Sequence, residues 1–178
     1  MENTERITTL SRKLRQVCTG LIYCLPIICA LFWFYFNRLY AMAPMISLPV
    51  HVDHDLPDLT RFFAFLVDLI PLGAVIYGLQ QLRRLFLLYE SGSIFTERNV
   101  DCFRGLGGAL IVWVVCHIVR TTLLSVVLTM DNLPGQRMIV VALDSGDFTG
   151  IFVGVVVLII SWVMDEGRKI EEDQALIV

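Results

Sequence analysis

Four apolar runs, about residues 17–40, 62–80, 106–129 and 148–164, alternate with polar stretches, and that alternation limits the fold more than any single motif. The hydrocarbon core of a bilayer is about 30 Å thick and takes a helix of roughly 20 residues, and in lipid every backbone polar group must be satisfied within the chain. Each run therefore predicts a transmembrane helix. Together they predict an all-α, integral membrane four-helix bundle of up-down-up-down topology, one domain spanning residues 1–178. Composition agrees, because 56% of the 178 residues are hydrophobic and 17% charged, which is too apolar for a soluble domain. The lipid bilayer is the expected surrounding.

Lysine and arginine give the expected orientation. Arg6, Arg12, Lys13 and Arg15 precede the first run, Arg83, Arg84, Arg98 and Arg104 belong to a central loop at 82–105, and Arg168 and Lys169 lie in the tail at 165–178. Only Arg38, Arg61 and Arg137 fall on the opposite side. The positive-inside rule then predicts N-in/C-in, with both termini and the central loop cytoplasmic and the tail a helical continuation of the fourth span. The net charge of -3 leaves no basic surface for direct nucleic-acid contact. Cys18, Cys24, Cys29 and Cys116 lie in apolar spans and Cys102 in the central loop, so no disulfide framework is expected. The first apolar run is too long for the core of a cleaved signal peptide.

Within the first span, Pro26 is expected to kink the helix or free a carbonyl, and Phe32 to Tyr40 resemble an interfacial aromatic belt. Residues 41–60 read as an exposed connector. His51, Asp53, His54 and Asp55 in that loop are metal-ligand types, but a single cluster in a proline-containing loop has little to orient it, and neither metal nor cofactor is expected. Residues 130–147 form a second outer loop, in which Met138 to Leu143 suit an extended segment at the membrane surface.

Charges inside spans are the most informative residues, because an unpaired one costs roughly 2.5 to 3.5 kcal/mol even on lenient scales. Asp68 and Arg120 sit about 9 and 15 Å from the outer ends of spans two and three by helical rise, and a long arginine reaches across such a difference. They are expected to pair. His117, Arg120 and Thr121 share one face by their spacing, which suits a proton relay, the polar lining of a small cavity, or a structural network that fixes helix register. Gly146, Gly150 and Gly154 recur every fourth residue and mark a close-packing face. The partner of that face is another helix of the chain or a second copy in a homo-oligomer.

The central loop narrows to a cap-to-cap turn. Gly92 suits a left-handed helix end, and Thr96 suits an N-cap through its hydroxyl. Ile94 and Phe95 are then apolar residues in a polar turn, and the apolar terminus Leu176, Ile177 and Val178 is expected to cover them unless a soluble cytoplasmic regulator competes for the same surface. No HExxH or GxSxG motif and no paired intramembrane aspartates are present, so no enzyme is expected.

The segments Leu82–Leu85, Gly92–Val100, Gly105, Gly107, Pro134, Gly135, Ser145–Asp147 and Met164–Val178 together resemble a bacterial integral-membrane family of unknown function, the one that includes YoaS. The resemblance implies a four-helix inner-membrane protein without an established enzymatic activity. It also implies kinship with proteins that resemble partners of small helix-turn-helix regulators. The leading expectation is a non-enzymatic structural or regulatory membrane protein. The alternative is a small oligomeric transport or proton-conducting unit using Asp68, His117 and Arg120.

Overall fold

A computed structural model describes residues 2–42, 48–50, 52, 55–92, 96–132, 135 and 137–175, with side chains from residue 8 to 170. Its helices are α1 (Glu2–Phe34), α2 (Phe36–Met42), α3 (Asp58–Glu90), α4 (Glu97–Thr129) and α5 (Ser145–Ala175), and the described residues contain no strand. All but α2 are long and apolar enough to cross a membrane. The chain is a four-span, all-helical membrane protein. α1 packs on α3, α3 on α4 and α4 on α5, so the helices associate in chain order and α1 and α5 are the outermost. The start of α1 and the end of α5 lie at one end of the bundle, called here the termini end. The other is the distal end.

The long helices exceed what the apolar runs alone require. α3 and α4 have 33 residues each, about 50 Å by helical rise, so both extend beyond the hydrocarbon. α3 and α4 therefore enter the central stretch at 82–105 from both sides, as the cap-to-cap reading of Gly92 and Thr96 expects, and the connection is residues 91–96. Gly92 closes α3 with φ 78°, a conformation that costs glycine nothing, and its amide bonds the Tyr89 carbonyl at 3.1 Å. Thr96 stands at the N-cap of α4 with extended backbone, but its side chain makes no capping bond. The expected hydroxyl cap is absent: the buried Oγ1 finds no partner among the described residues, and the Thr96 carbonyl instead accepts from Asn99 N at 2.9 Å. Ile94, Phe95, Leu176, Ile177 and Val178, the expected turn-and-tail contact, lie outside the described residues.

α1 continues through Pro26, which has no N–H to give the Ile22 carbonyl, and is interrupted at Tyr35. There the i to i-4 pattern still holds, with Tyr35 N on Leu31 O and Leu39 N on Tyr35 O, both at 3.0 Å. Two other expectations change. The aromatic residues at this end are not simply an interfacial belt: Trp33 and Phe36 are buried and stacked, centroids 5.0 Å apart. They anchor a core with Val50, Val52, Leu56, Ala64, Leu124 and Leu128. The connector after α2 is consequently not all exposed. The Asn37 amide fixes it by accepting from Leu56 N and donating to Leu56 O, both at 3.1 Å. His51, Asp53 and His54 of the suggested metal cluster lie outside the described residues.

The segment 137–144 carries no regular secondary structure and doubles back along α4. Thr129 Oγ1 bonds both the amide and the carbonyl of Met138, at 3.2 and 3.3 Å, and Ser125 Oγ accepts from Val140 N at 2.9 Å. The segment ends where Asp147 meets His117. That point is twelve residues short of the distal end of α4, about 18 Å by helical rise. α5 thus begins well below the level at which α4 ends, and hydroxyls on α4 supply bonds to the backbone that lies alongside it.

Beyond the fourth apolar run, α5 stays helical into the tail, supported by Arg168 and Lys169 on Asp165, each at 3.1 Å. Their hydrogen bonds, Arg168 first, hold the Asp165 carboxyl below the usual carboxylate range.

Candidate functional site: polar clasps between the helices

An acid, a base and an indole meet where α1, α3 and α4 come together. Arg120 Nε on α4 donates to Asp68 Oδ1 on α3 at 2.6 Å, and Trp33 Nε1 on α1 donates to Asp68 Oδ2 at 2.8 Å. Both carboxylate oxygens are engaged, and the side chains of Asp68 and Arg120 are 13% and 23% exposed. Such charge-assisted bonds are roughly twice as strong as neutral ones, and burial away from water keeps them from being screened. One aspartate therefore joins three helices. The participation of Trp33 does not follow from its membership of an aromatic run.

His117 turns to a different helix. Its Nδ1 lies 2.8 Å from Asp147 Oδ1 on α5, and its ring stacks on Trp113 with centroids 5.7 Å apart. Asp147 is 1% exposed, a second carboxylate inside the protein that the sequence reading assigns to the outer loop. Its other oxygen accepts from Asp144 N at 2.9 Å, while Asp144 Oδ1 accepts from Asp147 N at 3.0 Å. This is a reciprocal capping box, with Asp144 as N-cap and Asp147 three residues on. It satisfies amides at the start of α5, where acidic side chains suit the positive end of the helix dipole. The Asp-x-x-Asp spacing before an apolar run is a sequence signal for this start.

The four polar residues expected to share one network thus separate. Asp68 and Arg120 join α3 to α4, His117 joins α4 to α5, and Thr121 Oγ1 bonds the His117 carbonyl within its own helix at 3.0 Å. His117, Asp144 and Asp147 bring ligand atoms within 4.8 Å of one another. A cation there would have to displace the bonds that cap α5, so the arrangement fits a helix anchor better than a metal centre.

The glycine face divides as well. A Cβ on Gly150 would lie 2.8 Å from Val114 Cγ2, and one on Gly154 3.1 Å from Ile111 Cγ1 and 3.2 Å from the Gly107 carbonyl. Gly150 and Gly154 therefore face α4 of the same chain. Gly146 faces Asp144 of its own cap, 2.9 Å from where its Cβ would be. Two further bonds tie the termini end: Arg15 Nε to Glu90 Oε1 at 3.0 Å between α1 and α3, and Ser161 Oγ to the Val100 carbonyl at 3.2 Å between α5 and α4.

Each neighbouring pair of spanning helices is therefore joined by at least one side-chain bond within the spans, and Asp68, Arg120, His117 and Asp147 are spent on these clasps. No curated protein and no solved structure matches the chain. A family model described as a protein of unknown function (DUF2975) matches residues 26–178. The chain belongs to that family.

Proposed function

We propose that this chain is a non-enzymatic membrane protein with a structural or regulatory role, its output surface formed at the termini end by the 91–96 turn and the tail of α5. Both termini are taken as cytoplasmic, a reading supported by the excess of lysine and arginine at that end. The observation that carries the role is the His117–Asp147 clasp at 2.8 Å. α5 packs mainly on α4, so this bond, together with the Gly150 and Gly154 contacts, sets where the helix bearing the tail sits. A soluble regulator binding the tail would sense that position.

The test uses the full chain in nanodiscs. Asp147→Asn is expected to raise protease access to residues 165–178, and deletion of Gln174 to Val178 to release a bound cytoplasmic protein from the wild-type complex. If neither changes, the regulatory reading fails. The competing reading, a small oligomeric proton-conducting or transport unit, has less support because both oxygens of Asp68 are already engaged. Proton flux into liposomes that Asp68→Asn abolishes would favour it instead.

A further inference from the structure

Arginine is scarce at the distal end, yet Arg38 and Arg61 line one cavity there. That cavity, about 460 Å³, is bounded by Phe34, Tyr35, Asn37, Arg38 and Arg61. It opens beside the interruption between α1 and α2. Arg61 Nη1 donates to the Phe34 carbonyl at 2.7 Å, at the last residue of α1, and Nη2 donates to Asp58. Its buried Nε has no partner among the described residues. Arg38 is exposed and pairs with no carboxylate among them. Among the described residues, Asp58 offsets one of the two guanidinium charges, leaving the cavity with a surplus of one positive charge and N–H donors without a partner.

A second cavity, about 380 Å³, adjoins the first through Phe34 and Arg61 and is lined by Ala30, Trp33, Phe62 and Phe65, with Asp58, the partner of Arg61, at its polar edge. It lies between α1 and α3 on the membrane-facing flank, where Phe62 is 55% exposed. A phosphodiester carries one negative charge, and guanidinium binds phosphate oxygens through paired, directional donors. From this charge match and the adjoining apolar cavity we infer that Arg38 and Arg61 bind the phosphate of an anionic glycerophospholipid, whose acyl chain lies against Phe62 and Phe65. A lipid fits both halves, whereas free phosphate would fill only the polar one.

Native mass spectrometry on the delipidated full chain tests this with dioleoyl phosphatidylglycerol, dihexanoyl phosphatidylglycerol and inorganic phosphate as probes. Arg38→Gln changes an exposed side chain, so folding should persist and the affinity for the dioleoyl lipid should fall by about tenfold, the scale of one lost charged hydrogen bond. Arg61→Lys keeps the charge but loses the fork, and should weaken binding as well. Phe62→Ala should weaken the dioleoyl lipid more than the dihexanoyl one. Equal lipid affinity for wild type and Arg38→Gln would overturn the assignment. So would displacement of the dioleoyl lipid by equimolar inorganic phosphate.

Discussion

Arg120 Nε and Asp68 Oδ1 lie 2.6 Å apart across the α3–α4 interface. An unpaired charge is costly in hydrocarbon, and each of these offsets part of the other's penalty. Trp33 completes the carboxylate from a third helix, so the position of α1 is coupled to the same pair. Trp33 also belongs to the distal core with Phe36, so polar bonding and apolar packing meet in one side chain and reinforce one set of helix positions.

Trp33→Phe keeps most of the ring volume but removes the donor to Asp68. The expected loss is about 1 to 3 kcal/mol, the cost of a buried acceptor left unsatisfied, read as a lower melting temperature in detergent. Trp162→Phe, at a position 66% exposed, should leave the melting temperature unchanged.

Gly154→Leu and Gly150→Leu should each destabilise by about 1 to 3 kcal/mol or more, because overpacking forces helices apart. A Cβ at either position already meets α4 within 3.1 Å. Gly108→Leu is the control, since nothing lies within 4 Å of its Cβ position. Similar losses at all three positions would show that α5 and α4 do not meet at these glycines.

The Asp68–Arg120 contact was legible because a buried charge demands a partner and helical rise put both residues at comparable depth. Asp147 is not, because it precedes the apolar run that starts at Phe148 and so reads as part of the outer loop. Hydropathy locates apolar segments but does not report that an extended stretch folds back along a neighbouring helix. The Asp144–Asp147 spacing held the missing information. Trp33 is ambiguous for a related reason: an aromatic near a helix end is equally suited to an interface or a core, and only its packing with Phe36, Val50, Val52 and Leu56 decides between them. Gly92 was readable from backbone sterics alone, whereas the Thr96 cap failed because its carbonyl, and not its hydroxyl, meets the first amides of α4.

Ser125→Ala removes the acceptor of Val140 N. Amide exchange of Val140 should then accelerate about fivefold, corresponding to a bond worth about 1 kcal/mol, while exchange in the middle of α3 stays unchanged. Thr129→Ala should have the same local effect at Met138.

Asp147→Ala removes both the bond to His117 and half of the capping box. It should destabilise more than His117→Ala, which leaves the cap intact, by about 0.5 to 2 kcal/mol, the usual range for a lost cap. Denaturation of the purified variants in mixed micelles measures the difference.

The central claim, that intramembrane polar clasps hold neighbouring helices in place, is tested most directly by a double-mutant cycle on Asp68→Asn and Arg120→Gln in detergent denaturation. Each single change should cost about 3 to 5 kcal/mol by stranding the other charge. The double variant should recover enough to give a coupling of at least about 1.5 kcal/mol, above the roughly 0.3 to 0.5 kcal/mol scatter of independent sites. Additive losses within that scatter would contradict the account.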